Sequence, residues 1–223
     1  KNGKLYPLKG TSSFNNTEIW GIIPMSENKL LIATQNKGLF LYDFKNAMPW
    51  ETEANTFIKK NSSLGGVLVK DRFIVLNSVL NGIIICDTNG KIIQHINHKK
   101  GLQNNTVLTS FIDKSKNIWL GLDNGIAFVN DNSPFTYFGF SYDISTVYAS
   151  VVHKGNLYVA TNQGVFYHSW KIPFQDGNFS SIEGTTGQTW NIQSIDGQLL
   201  CANNNGALLI EENRTVKILD SNG

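Results

Sequence analysis

One short pattern recurs five times along the 223-residue chain: an apolar run, a polar turn rich in Asn that ends in Gly, and a second apolar run. Its clearest copies are Ile32-Ala33-Thr34-Gln35-Asn36-Lys37-Gly38-Leu39-Phe40 and Val159-Ala160-Thr161-Asn162-Gln163-Gly164-Val165-Phe166. The others span Leu76–Ile84, Leu120–Ala127 and Cys201–Leu208. The turn glycines are Gly38, Gly82, Gly125, Gly164 and Gly206, so the copies follow one another at spacings of 44, 43, 39 and 42 residues. A period in this range marks one supersecondary unit stacked on copies of itself.

The unit is β. Asn-Gly connections supply the positive φ values a tight hairpin demands, and the flanking runs, rich in Ile, Val, Leu, Phe and Tyr, suit strands and are too short for independent helices. A further apolar run and polar turn precede each copy, most clearly Val107–Ile112, Asp113–Asn117 and Ile118–Leu120. A fourth strand is expected after each third, at Thr56–Ile58, Ile92–Ile96, Phe135–Phe138, Phe179–Ile182 and Thr215–Leu219. Four antiparallel strands at this period make a β-propeller blade, whereas a β-sandwich has no reason to repeat one pattern five times. The expected fold is all-β, with five four-stranded blades at residues 17–60, 61–100, 101–142, 143–184 and 185–221. Residues 1–10 carry a stray outer strand at Lys4–Leu8, which makes the chain a fragment of a larger propeller of about seven blades.

Composition excludes several classes. With 41% hydrophobic and 16% charged residues the chain is neither disordered nor fibrous, and a formal net charge of +2 gives no electrostatic reason to bind nucleic acid or a membrane surface. Apolar runs such as Gly82–Cys86 fall far short of the roughly 18 residues of a membrane-spanning helix. The first eight residues lack the apolar core of a secretory signal and name no compartment. Cys86 and Cys201 fall three blades apart in apolar strands, and two free, buried thiols are expected.

The run Asn104–Ile126, with Phe111-Ile112-Asp113, Asn117-Ile118-Trp119-Leu120-Gly121-Leu122 and Asp123-Asn124-Gly125-Ile126, resembles the repeat of the two-component-regulator propeller, and Gly155–Tyr167 is similar. The second unit departs from it, with Phe73-Ile74-Val75-Leu76 where the motif has Trp, as does the fifth, with Leu199-Leu200-Cys201. The resemblance implies a periplasmic sensor of a Bacteroidetes regulator, in which a triple-tyrosine domain and a membrane helix follow. Output would be a hybrid two-component kinase or a helix-turn-helix of the LuxR type. It also implies recognition of glycan fragments and a role for Trp119 in packing between blades.

No nucleophile elbow, phosphate-cradling loop or zinc-type spacing occurs, so no catalytic residue, metal or cofactor is expected. His95 and His98 read as two solvated histidines, and His153 and His168 stand alone at strand ends. Asp113–Asn117 lacks the Gly and Glu of a calcium loop and reads as a hairpin turn. The informative side chains are Trp20, Leu108, Tyr148 and Trp190, which align at the start of the innermost strand, where the second blade has Gly65-Gly66. Inner strands line a propeller axis, so Trp20, Tyr148 and Trp190 would ring one mouth of the channel and offer aromatic faces to a sugar ring, unless they merely plug the axis.

The expected function is therefore ligand sensing by a propeller segment, with an oligosaccharide as ligand. Its expected partners are the rest of its propeller, the triple-tyrosine domain and a second copy as homodimer. The alternative is a secreted lectin-like or scaffold propeller. Apolar faces around Ile19–Ile23 and Ala207–Ile210 would be left bare at the two ends and would drive association into an open arc, or else close into a five-blade ring.

Overall fold

The computed structural model of the chain describes residues 8–69, 72–130, 138, 142–170 and 177–217. They fall into two compact units, Lys1–Thr136 and Tyr137–Gly223. In the first unit, sheet one is β1 (Ile19–Ser26), β2 (Lys29–Thr34), β3 (Leu39–Tyr42) and β4 (Ala47–Pro49). Sheet two is β5 (Ser63–Val69), β6 (Phe73–Ser78), β7 (Ile83–Cys86) and β8 (Ile92–Ile96). Sheet three is β9 (Val107–Ile112), β10 (Ile118–Leu122) and β11 (Gly125–Val129). In the second unit, sheet four is β12 (Val147–His153), β13 (Asn156–Thr161), β14 (Gly164–Ser169) and β15 (Ser180–Ser181). Sheet five is β16 (Thr189–Ile195), β17 (Gln198–Asn203), β18 (Gly206–Glu211) and β19 (Arg214–Lys217). Every pairing within these sheets is antiparallel, and strands pair in chain order. The strand expected at Phe135–Phe138 lies, but for Phe138, outside the described residues, as does the stray strand at Lys4–Leu8 but for Leu8.

The repeated turn is where the sequence pattern becomes geometry. In sheets three, four and five the second strand ends opposite the turn glycine, in the pairs Leu122–Gly125, Thr161–Gly164 and Asn203–Gly206. Only the glycine takes positive φ in each of these turns, at +100°, +138° and +117°, so the preceding Asn and Gln residues stay in ordinary backbone regions. A buried side chain closes the turn from the other side. The hydroxyls of Thr34, Ser78 and Thr161 donate to the carbonyl oxygens of Gly38, Gly82 and Gly164 at 2.7–2.8 Å, and each accepts a backbone N–H from within its turn. The Asn203 side chain does part of this work, accepting from Asn205 N at 2.9 Å. Fixing the turn fixes register, and a one-residue slip would turn every core side chain to the opposite face.

Packing follows from that register. In sheets one, two and four one cross-strand row points toward the next sheet: Ile23-Leu31-Leu41 in sheet one and Val67-Val75-Ile85 in sheet two are both part of cores shared with the following sheet. Val151-Tyr158-Tyr167 does the same from sheet four toward sheet five. The equivalent row of sheet three is Phe111-Trp119-Phe128, and among the described residues no sheet follows it within the first unit. Trp119 is 41% exposed; its ring lies 5.0 Å from Phe128 and its Nε1 donates to Asp113 Oδ2 at 3.0 Å. Between sheets one and two the backbones themselves meet: a Cβ on Gly21 would lie 2.5 Å from Gly65 Cα, and one on Gly65, at φ +90°, 2.9 Å from the Trp20 carbonyl oxygen.

Two expectations require correction. Thr56–Ile58 is not a strand but part of the helix α1 (Glu53–Asn61), and the fourth strand of sheet one is β4. Thr52 caps the helix by accepting from Asn55 N at 3.2 Å, and Ala54 and Ile58, four apart on one face, are fully buried between sheets one and two. The helix is also tied to both sheets. Asn55 Oδ1 accepts from Leu39 N at 2.8 Å and Glu53 Oε2 from Ile92 N at 3.0 Å.

The apolar ends are less bare than expected. Ile32, Phe40 and Tyr42, on the outer face of sheet one, are covered by the chain before β1: Phe14 meets Phe40 edge-on at 5.4 Å, and Tyr42 Oη donates to Lys9 O at 2.9 Å. Ile23 is buried against sheet two, while Ile19, Trp20 and Ile22 remain exposed. Leu208 and Ile210 face the core shared with sheet four and are buried too.

Two predictions follow. Gly65→Ala places a side chain in a left-handed backbone region and against the Trp20 carbonyl, and is expected to cost about 2 kcal/mol or more in urea denaturation. Cys86 and Cys201 are free and buried; burial, helped at Cys86 by the Asp87 charge, pushes their thiols up to about 12 and about 11. Both folded-state values lie above the ordinary 9.0, so the stability these protonated thiols contribute is complete below 9 and is lost as pH rises toward 11 and 12. A thiol reagent should label neither cysteine in the native protein and both after unfolding.

Candidate functional site

The residues aligned at the start of the innermost strands share a structural cause. Each sits in a β-bulge of the first strand of its sheet. In β1 the pairing jumps from Ile19–Thr34 to Gly21–Ala33, leaving Trp20 unpaired, and Leu108, Tyr148 and Trp190 are skipped in the same way in β9, β12 and β16. In β5 the jump from Ser63–Ser78 to Gly66–Leu76 leaves Leu64 and Gly65. A bulge re-aims the unpaired side chain away from the sheet. Accordingly Trp20, Leu108, Tyr148 and Trp190 are 46%, 50%, 40% and 51% exposed, an unusual state for four large apolar groups at the starts of core strands.

The bulges are held by one repeated backbone bond. The residue that follows the second strand donates its N–H across the bulge: Gln35 to Glu18 O, Val79 to Ser62 O, Asp123 to Thr106 O, Asn162 to Thr146 O and Asn204 to Gln188 O, all at 3.0–3.2 Å. This clamp sets a polar side chain beside each bulge residue except in sheet two. Sequence spacing located the bulge positions but not the clamp, whose donor residue directly after the second strand is an amide in sheets one, four and five.

In the second unit the arrangement makes a candidate site. The rings of Tyr148 and Trp190 lie 4.8 Å apart, tilted by 37°. Trp190 Nε1 donates to Asn204 Oδ1 at 2.9 Å, which orients the indole. Asn162, the counterpart of Asn204 beside Tyr148, has its Oδ1 buried with no hydrogen-bond partner. An aromatic surface bordered by amide groups can take a planar or ring-shaped ligand on its face and hydrogen-bond the ligand's edge. Trp20 and Leu108 occupy the same bulge position in the first unit.

The other residues singled out in the sequence are structural. His95 is not solvated: its Nε2 lies 2.8 Å from Asn81 O and its ring meets Phe57 at 5.1 Å. His98 is exposed in a short 3-10 turn. Nor are the remaining two alone. His153 Nδ1 is 2.7 Å from Ser194 Oγ, and His168 is buried, with Nδ1 2.8 Å from Ser169 O and its ring against Phe179. Asp113–Asn117 is a hairpin turn in which Asp113 Oδ1 accepts from Ser115 N and Asn117 N; hydrogen bonds from Trp119 and Asn117 hold its carboxyl below the usual carboxylate range. Among the described residues no three His, Cys, Asp or Glu side chains converge as a metal site requires. Also among them, no helix is long and apolar enough to cross a membrane.

Neither a family model nor a curated protein matches the chain. Among solved structures it is similar to the extracellular domain of BT4673 from B. thetaiotaomicron, described as a hybrid two component system, with 20% identity and a TM-score of 0.44 over 94% of this chain and 30% of that one. It is similar also to the extracellular domain of BT3049 from the same organism, described in the same terms, with 16% identity and a TM-score of 0.42 over 92% of this chain and 35% of that one. A third similarity is to virginiamycin B lyase from Staphylococcus aureus, with 14% identity and a TM-score of 0.42 over 95% of this chain and 73% of that one. The chain thus spans about a third of the length of the first two.

Because Trp190 is half exposed, Trp190→Ala is expected to change unfolding free energy by no more than about 1 kcal/mol. A larger loss in urea denaturation would mean that the indole packs the fold rather than serving a site.

Proposed function

We propose that this chain is a segment of a β-propeller sensor domain that binds an oligosaccharide at its bulge residues, and that it is a binding module rather than an enzyme. The carrying observation is the half-exposed Tyr148–Trp190 pair, held at equivalent bulges of adjacent sheets with Asn162 and Asn204 beside it. Pyranose rings present an apolar C–H face and an equatorial rim of hydroxyls, and this pairing of aromatic faces with amides meets both. Trp20 offers the same chemistry at the corresponding position of sheet one.

The propeller reading rests on repetition: the same strand order, the same bulge and the same forward-facing row recur sheet after sheet, and adjacent sheets within each unit pack through those rows. In such a fold the bulge residues surround one end of the axis. The five sheets are then five blades of a larger propeller on the periplasmic side of an inner membrane. A following triple-tyrosine domain and a membrane helix would pass the bound state to a kinase or a helix-turn-helix output. Sensing requires that the ligand bind one of two states more tightly, which is a property of that longer protein.

Titration of the chain with a panel of plant and host oligosaccharides, read by tryptophan fluorescence and calorimetry, tests the binding step. At least one should bind saturably, and Trp190→Ala or Tyr148→Ala should weaken it about tenfold or more. Absence of saturable binding across the panel, or binding unchanged in both variants, would refute the assignment.

A further inference from the structure

The second unit holds another concavity, at the end of sheets four and five opposite the bulges. It is a cleft of about 400 Å³ framed by the turns that join β12 to β13, β16 to β17 and β18 to β19. All three are tight two-residue turns with positive φ at both positions: Lys154-Gly155, Asp196-Gly197 and Glu212-Asn213. Such turns have little freedom, so the rim is set by the fold. The floor is Tyr158 and Ile210, each 5% exposed.

Two contacts lock this frame across the sheets. Tyr158 Oη donates to Asn213 Oδ1 at 3.1 Å and fixes the β18–β19 turn over the floor. His153 Nδ1 lies 2.7 Å from Ser194 Oγ, with its ring edge-on to Tyr158 at 6.3 Å. The charges of the lining, by contrast, are unspent: Lys154 from sheet four and Glu211 and Glu212 from sheet five share the cleft, yet none is in an ion pair among the described residues. Opposite charges separated across a cavity with an apolar floor are satisfied together by a ligand that carries both signs.

We infer that this cleft is a second binding site, for a zwitterion of about dipeptide size, an amino acid or short peptide with free termini. Glu211 and Glu212 take the ammonium group, Lys154 takes the carboxylate, and the body of the ligand lies over Tyr158 and Ile210. Two anions against one cation make the ammonium the stronger determinant. The volume lies within the range of small-molecule sites, at its lower end.

Calorimetric titration with the dipeptide alanyl-tyrosine, its N-acetyl form and its C-terminal amide tests this. The unblocked peptide should bind, acetylation should weaken binding about tenfold or more, and amidation should weaken it less, consistent with the scale of charge-assisted hydrogen bonds. Glu211→Gln with Glu212→Gln should reproduce the loss seen on acetylation, and Lys154→Ala should abolish the difference between acid and amide. Trp190→Ala should leave peptide binding unchanged, which keeps this site distinct from the bulge site. All the substituted side chains are exposed, so folding is preserved, and circular dichroism verifies it. No binding of the unblocked peptide up to about 10 mM, where a millimolar site would already be saturated, or equal binding of the acetylated form would overturn the inference.

Discussion

The hydrogen bond from the Thr161 hydroxyl to the Gly164 carbonyl oxygen, with its counterparts at Thr34 and Ser78, closes a turn that the rest of sheets one, two and four depends on. Glycine is required because the chain must take positive φ at that point, and the buried hydroxyl satisfies polar groups that would otherwise be stranded in the core. With the turn closed, the second and third strands have one register. That register directs the forward row of each sheet toward its neighbour. The residue after the second strand then donates its N–H across the bulge of the first strand in all five sheets, so one four- or five-residue stretch bears on the core and the bulge alike.

This coupling explains what could be read in the sequence. The turn glycines and the strands around them are legible because few residues meet the backbone demand, so the pattern survives repetition. Positions Trp20, Tyr148 and Trp190 were legible as an alignment, though not as bulges, since a bulge is a property of pairing and not of one strand. The helix α1 was hidden because Thr56-Phe57-Ile58 has β-forming side chains; the cap at Thr52 and the four-residue spacing of Ala54 and Ile58 outweigh them once two sheets offer a groove to fill. Histidine environments were illegible for another reason. The partner of His153 is Ser194, 41 residues away on a different sheet.

The exposed and covered faces follow from local segments as much as from the repeat. Sheet one is covered on its outer side by Phe14 and the backbone at Lys9, not by another sheet. Within the second unit, Leu157 and Val159 of sheet four are covered by Tyr142, Ile144 and Phe179 from neighbouring loops. Large apolar side chains are exposed at the bulges by the pairing itself, and also along the Phe111-Trp119-Phe128 row of sheet three.

The two ends of the second unit consequently present different chemistry from the same strands. At one end the bulge turns Tyr148 and Trp190 outward next to neutral amides, and no charged group is needed to orient them. At the other end the strands pass into tight turns, where positive φ places Lys154 and Glu212 in constrained backbone and the aromatic Tyr158 lies beneath them. A neutral, ring-shaped ligand gains from the first surface through contact with π faces, and gains little from the second, whose charges it cannot satisfy. A small charged ligand has the opposite preference. The chemistry each end presents is thus a consequence of where along the strand the backbone departs from regular pairing: a bulge exposes apolar area, whereas a two-residue turn exposes charge.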